Sequence, residues 1–238
     1  MGNPGRPWLG RSLANIRSCE YSGKTKMIDV PRIGLMQDHV LKRALLLYGL
    51  HAILFNVFFV FAYYALPDGF MRSGPQMASA EAVARQPSFW SQFAMILFFN
   101  MGVVILIIVL CNFNRVKGVP VGYLVPVSLA IAGGLVVGTN SFLSDDLDRY
   151  SSVREAMALG QTIGGLETLG FILIVAATVP LGIYHYRSWW RWSGRWKPEK
   201  VMNLRDIRLS RSEAVCLAVG LFLLIIAAYR ETAMVAHR

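Results

Sequence analysis

The stretch "TIGGLETLGFILIVAATVPLGIY", residues 162–184, decides the class of fold, because it is long and apolar enough to cross a bilayer. It carries a single charged residue, Glu167. Similar runs recur along the 238 residues, which are 55% hydrophobic and have a mean hydropathy of +0.45. The sequence therefore predicts a membrane protein, and it raises the question of why a carboxylate lies inside a span.

Five runs reach the length that a bilayer crossing requires. The predicted spans are residues 44–66, 89–113, 119–142, 163–183 and 214–235. Lipid offers the backbone no hydrogen-bond partner, so each span is predicted to be a helix, and the runs lack the alternating polarity of barrel strands. The predicted fold class is all-α: a polytopic bundle of five transmembrane helices in residues 44–238, after a basic segment in residues 1–43.

The basic residues are distributed unevenly between the connections of this bundle. Eight lie in residues 1–43 and eight in residues 184–213, but only two lie in residues 67–88 and two in residues 143–162. Because cytoplasmic loops are enriched in Lys and Arg, we expect a cytoplasmic N-terminus and an external C-terminus. The expected location is the cell membrane, crossed several times.

The net charge of +10 is concentrated beside the predicted spans. This favours attraction to anionic lipid over binding to nucleic acid. The three cysteines and four histidines have no metal-ligand spacing, so neither a metal nor a cofactor is expected. Met27 is an alternative start, which would make residues 1–26 an extension.

Glu167 is predicted to lie a few residues inside the outer end of the fourth span. Glu231 and Arg230 lie near the outer end of the fifth span, and Asn140 lies at the end of the third. Charged groups inside a span are costly and usually face the bundle interior with a partner, so we expect one polar layer with Arg230 beside the carboxylates. Two interpretations remain open for Glu167: an interfacial or structural acid, and part of a binding site or ion path.

Asn100, in the middle of the second span, allows an interhelical hydrogen bond or a substrate contact. A tryptophan-rich and basic segment after the fourth span is typical of a membrane interface, the alternative being a docking helix for a partner. Its residues are Trp189, Trp190, Arg191, Trp192, Arg195, Trp196 and Lys197. Gly134 and Gly138 have the spacing that permits close helix approach, and we expect Gly134 to face the fourth span.

Four segments together resemble a known family. They are "FFNMGVVILIIVLCNFNRVKGVPVG" (98–122), "GGLVVGTNSF" (133–142), "IGGLETLGFILIVAATVPLG" (163–182) and "LLIIAAYRETAMV" (223–235). In order and spacing they resemble the stage II sporulation protein M family of bacterial and archaeal membrane proteins. The family's motif positions correspond here to Asn100, Asn140, Gly164, Glu167, Ala227, Ala228 and Glu231. Ile163 stands where the family has a histidine, and Ser141 where it has a glycine.

The resemblance implies a helical membrane protein similar to a scaffold that recruits peptidoglycan-remodelling partners in spore-forming bacteria. No phosphate loop, nucleophile elbow or zinc-protease motif occurs in the sequence, so an enzyme is not expected. Two functions remain: a membrane scaffold or assembly factor, and a transporter or permease subunit whose carboxylate layer lines a path. The expected partners are the lipid bilayer and either other membrane proteins or a second copy of the chain.

Overall fold

Five long apolar helices dominate the computed structural model, which describes residues 39–141, 152–188 and 197–236. The segments long and apolar enough to cross a membrane are Val40–Ala65, Phe89–Asn112, Val121–Gly138, Gly164–Leu181 and Arg211–Met234. They are called spans one to five below. The predicted all-α class with five spans is confirmed. By their length and apolar composition, these five helices indicate a multi-pass membrane protein.

The described part of the chain contains seven α-helices. They are α1 Val40–Ala65, α2 Pro75–Ala84, α3 Phe89–Leu97, α4 Ile105–Asn112, α5 Leu124–Gly138, α6 Val153–Thr178 and α7 Arg211–Ala236. Between α3 and α4 the chain stays helical as a wider π-helical stretch, Phe98–Val104. The backbone N–H of Ile105 accordingly bonds to the carbonyl of Asn100, five residues earlier.

Helix α6 begins well before the predicted fourth span, because a polar cap starts it. The Ser152 hydroxyl accepts a hydrogen bond from the Glu155 backbone N–H at 3.2 Å. Such a cap satisfies one of the free donors in the first helical turn. The sequence of the first turns of α6 is polar, so a hydropathy window leaves these turns out of the predicted span.

Helices α1 and α5 pack closely through Gly134 and Gly138. A Cβ at Gly134 would lie 2.6 Å from the Phe55 carbonyl oxygen, and one at Gly138 would lie 2.6 Å from the Phe59 carbonyl oxygen. Only glycine allows the two backbones to approach this far. The predicted close approach is therefore present, but the expected partner is wrong: Gly134 faces span one, not span four.

Helices α6 and α7 form a second close seam, at a glycine from each helix. A Cβ at Gly170 would lie 3.0 Å from the Gly220 carbonyl oxygen, and a Cβ at Gly220 would lie 2.9 Å from the Gly170 carbonyl oxygen. Ile174 and Leu224, adjacent to this crossing, are fully buried. Spans four and five thus form an antiparallel pair with a tightly packed apolar centre.

A small sheet lies beyond the ends of spans two and four. Its strands are β1 Asn114–Val116, β2 Val119–Pro120, β3 Tyr184–Tyr186 and β4 Glu199–Lys200, in the order β2-β1-β3-β4. Strands β1 and β3 are parallel, and the other two pairs are antiparallel. The β1–β2 turn has positive φ at Lys117 and Gly118, as a type I′ hairpin requires. The end of the bundle that carries this sheet, where α1 begins, is called the Arg43 end after a residue in the first turn of α1. The opposite end, which carries Glu167 of α6 and Glu231 of α7, is called the Glu167 end.

Candidate functional site

Glu167 of α6 and Glu231 of α7 face each other across the seam between spans four and five. Both side chains are half-buried, and the two carboxylates are close enough to interact electrostatically. Glu167 lies one turn before the close contact at Gly170, whereas Glu231 lies one turn after the fully buried Ala228. The structure therefore brings together two residues that the sequence analysis placed in one layer.

Arg230 is exposed, although its neighbour Glu231 lies on the packed face of α7. Successive residues of an α-helix point about 100° apart, so the two side chains cannot share a face. In residues 39–141, 152–188 and 197–236 no ion pair joins Arg230 to either carboxylate. The expected pairing between Arg230 and the acids is therefore not found in the described chain.

Asn140 caps the end of α5. Its φ is +47°, its backbone N–H donates to the Val137 carbonyl at 3.2 Å, and the Ser141 N–H donates to the Val136 carbonyl at 3.0 Å. This pair of bonds is the Schellman arrangement, in which asparagine tolerates the left-handed backbone better than most residues. The backbone geometry therefore accounts for an asparagine at this position.

The turn after α5 also holds the connection that follows span one. The Gly69 N–H donates to the Thr139 carbonyl at 2.7 Å, and the Met71 N–H donates to the Ser141 hydroxyl at 2.9 Å. Thr139 and Ser141 are fully buried, and their hydroxyl oxygens lie 2.6 Å apart. These polar residues of the Glu167 end thus stabilise a turn.

The structure describes three of the remaining predicted site residues, Asn100, Gly164 and Lys197. Asn100 is buried in the π-helical stretch, which packs against α7. Gly164 faces open space, because an added Cβ there would meet nothing within 4 Å. Lys197 is exposed. The other predicted interfacial residues lie outside the described chain: Trp189, Trp190, Arg191, Trp192, Arg195 and Trp196.

An ion pair that the sequence analysis missed lies at the opposite end. The Arg43 Nη2 atom is 2.8 Å from Glu213 Oε1, and the two side chains are only 7% and 10% exposed. The same nitrogen donates to the Ala176 carbonyl at 3.0 Å. Arg43 therefore joins the start of α1 to the end of α6 and the start of α7.

Glu213 also belongs to a capping box at the start of α7. Its Oε2 accepts from the Ser210 N–H at 2.8 Å, and the Ser210 hydroxyl accepts from the Glu213 N–H at 3.3 Å. The sequence "SRSE" at 210–213 has the spacing of this motif, so the cap was detectable. The carboxylate is thereby oriented towards Arg43.

Asn112 and Arg115 connect span two to the end of span four. Asn112 Nδ2 donates to the Val175 carbonyl at 3.1 Å and to Thr178 Oγ1 at 2.7 Å, while Arg115 Nη2 donates to the Val179 carbonyl at 2.8 Å. Burial lowers the pKa of the Arg115 guanidinium, which lies outside the spans. These contacts are structural, since two of them satisfy backbone carbonyls at the end of span four and the third bonds the Thr178 hydroxyl beside them.

No group of three or more His, Cys, Asp or Glu side chains suited to a metal ion occurs in the described part of the chain. Together, the five spans, the packed seams and the polar ends define a multi-pass helical membrane protein. Neither a family model, nor a curated protein, nor a solved structure matches the chain.

Proposed function

We propose that the chain is a non-enzymatic membrane scaffold or assembly factor for complexes associated with the cell envelope. The observation that carries this proposal is the apolar seam between spans four and five. Residues 171–177 of α6 are all apolar, and all except Leu173 are buried. Together with the contact between Gly170 and Gly220, they separate the Glu167 end from the Arg43 end.

A permeation path needs polar groups or water along its length. In the described spans and directly after span three, several polar side chains are instead used to hold the bundle together. Arg43 pairs with Glu213, Asn112 bonds to Thr178, and Ser141 accepts from a connecting loop. A rigid bundle of this kind supports a scaffold, which needs a stable shape rather than a path. The resemblance to the stage II sporulation protein M family supports the same function.

The proposal can be tested by deleting the gene and separating membrane complexes from the native organism on native gels. We expect at least one envelope complex to disappear or to run at a smaller apparent mass, and the wild-type chain to restore it. The variant Glu167→Gln/Glu231→Gln should also restore it, because a scaffold does not need the carboxylate charges. Gly170→Leu should fail, since it disturbs the seam, whereas the matched Gly165→Leu, at an open position, should succeed.

A second candidate is a subunit of a transporter, and the proximity of Glu167 and Glu231 favours it. Two carboxylates that face each other in a poorly hydrated site tend to share a proton, and such pairs occur in proton relays. In this case, purified protein in liposomes should dissipate an imposed pH gradient, as reported by an enclosed dye. The Glu167→Gln/Glu231→Gln variant should then lose both this activity and the rescue of the deletion strain at normal abundance.

The scaffold proposal includes a location in the cell membrane with the N-terminus in the cytoplasm. The uneven distribution of the 24 basic residues supports this orientation. Alkaline phosphatase fused to the C-terminus should be active, because that enzyme requires export. An inactive fusion in a stable, full-length chain would reverse the orientation.

A further inference from the structure

A cavity of about 690 Å³ lies at the Arg43 end, where β3 and β4 meet the ends of spans two and four. Phe113, Ile183 and Leu204 give it apolar walls, and Lys200 and Arg205 add two cationic side chains. We propose that this cavity binds an anionic phospholipid, with the phosphate at Lys200 and Arg205 and the acyl chains against the apolar walls.

The position of the cavity fits the boundary of a bilayer. Phe113 directly follows the last residue of span two, and Ile183 lies two residues beyond the last residue of span four. The apolar walls therefore begin where the hydrocarbon core ends, at the level of lipid headgroups. A ligand that enters from the membrane with an apolar tail and a polar head matches both parts of this cavity.

Backbone hydrogen bonds hold the cavity walls in place. The Ile183 and Tyr184 N–H groups both donate to the Phe113 carbonyl at 2.8 Å, and the Val201 N–H donates to the Ile183 carbonyl at 2.9 Å. The wall is thus anchored to the ends of two spans. A preformed site loses less conformational entropy when a ligand binds.

The charges around the cavity favour an anion. Neither Lys200 nor Arg205 forms an ion pair with another described residue. The one acid in the lining, Asp206, accepts a hydrogen bond from Asn203 Nδ2 at 3.1 Å. Guanidinium groups donate to phosphate oxygens in a bidentate manner, and a lysine adds a point charge, so the two together suit a phosphodiester.

The composition of the surrounding connection agrees with this ligand. Residues 184–213 contain eight basic and three acidic side chains, and two of the acids are engaged with other groups. Glu199 pairs with Arg187 at 3.0 Å, and Glu213 pairs with Arg43. The net positive charge of this segment would raise the local concentration of anionic lipid.

The test uses the purified full-length chain, stripped of lipid and titrated with phosphatidylglycerol or phosphatidylcholine, with retained lipids counted by native mass spectrometry. We expect Lys200→Gln/Arg205→Gln to lower the retention of phosphatidylglycerol about thirtyfold, from the loss of two cations, with phosphatidylcholine unchanged. The matched variant Lys117→Gln/Arg208→Gln removes the same charge from exposed positions outside the cavity, and it should retain the lipid.

Equal losses in both double variants would show that only the general surface charge matters, and would overturn the proposal. Equal retention of the two lipids by the wild type would do the same. If inorganic phosphate alone displaces phosphatidylglycerol at millimolar concentration, the site is a free-phosphate site. A photoactivatable phosphatidylglycerol should label the wild type at Leu204 or Phe113, a result that does not depend on any variant, and labelling confined to other segments would refute the site.

Discussion

Arg43 and Glu213 lie 170 residues apart in the sequence, yet their side chains meet at 2.8 Å in a nearly dry setting. Each charge also lies at a helix end of favourable sign. Arg43 contacts a carbonyl near the C-terminus of α6, and Glu213 lies in the first turn of α7. The pair therefore links spans one, four and five at a single point.

Arg43→Met should destabilise the bundle by about 3–5 kcal/mol, because it leaves the buried Glu213 carboxylate without its cation. The free energy of unfolding, measured by titration with sodium dodecyl sulfate in mixed micelles, checks this. Lys42→Met, at the exposed neighbouring position, should change it little. Arg43→Met/Glu213→Leu should recover a large part of the loss; a double variant as unstable as the single one would contradict this account.

Gly170→Leu should destabilise the pair of spans four and five by about 1–3 kcal/mol or more, because a side chain there overlaps α7. Gly165→Leu changes the same helix at a position with open space, so it serves as the control. The same unfolding titration gives both values. Equal effects of the two substitutions would show that the loss comes from helix propensity or solubility rather than the seam.

Gly138→Ala should destabilise the pair of spans one and three by about 1–3 kcal/mol, because an added Cβ would lie 2.6 Å from the Phe59 carbonyl oxygen and 2.7 Å from the Ala62 Cβ. Gly133→Ala serves as the control, since an added Cβ there would meet the Phe55 ring at an ordinary contact distance of 3.4 Å. The unfolding titration in mixed micelles gives both values. A loss for Gly133→Ala as large as that for Gly138→Ala would contradict the close approach of α1 and α5 at Gly138.

His185, in β3 and outside the spans, should have a pKa below the ordinary value of histidine. Burial lowers the pKa of this imidazole, the Arg115 charge acts in the same direction, and Glu199 opposes both. The folded protein then binds fewer protons than the unfolded chain, so stability should fall as the pH drops below about 6.5.

The pKa can be read from the imidazole proton shifts of selectively labelled histidine. His185→Gln should flatten the fall of the melting temperature between pH 7 and 5, whereas His39→Gln, at an exposed position, should retain it. A midpoint above 6.5 for His185 would show that Glu199 controls the imidazole instead of burial and Arg115.

The spans were predictable because length and apolarity are local properties of a sequence. The hydropathy windows missed the helix starts, since Ser152 and Ser210 begin α6 and α7 with polar turns, although the spacing of "SRSE" at 210–213 marks the second start. The four short strands have only two or three residues each, too few for a periodic pattern.

Partners across the bundle were the hardest to predict. The spacing of Gly134 and Gly138 indicates close approach, but it does not state which helix approaches. Similarly, nothing near Arg43 in the sequence points to Glu213. For the candidate site, the depth along the spans indicated that Glu167 and Glu231 share a level. Depth does not state which way a side chain points around the helix axis, and Arg230 points away from the face that carries Glu231.

The π-helical stretch Phe98–Val104 gives span two a change of rotational phase halfway along its length. Before it, Ile96 packs with Ala228 of α7; after it, Asn112 reaches α6. One extra residue in a turn advances every later side chain by about 100° around the axis. Span two thus contacts α7 with its first half and α6 with its second. Deletion of one residue from the π-helical stretch would leave the span long enough to cross a bilayer, but it would turn Asn112 away from Thr178.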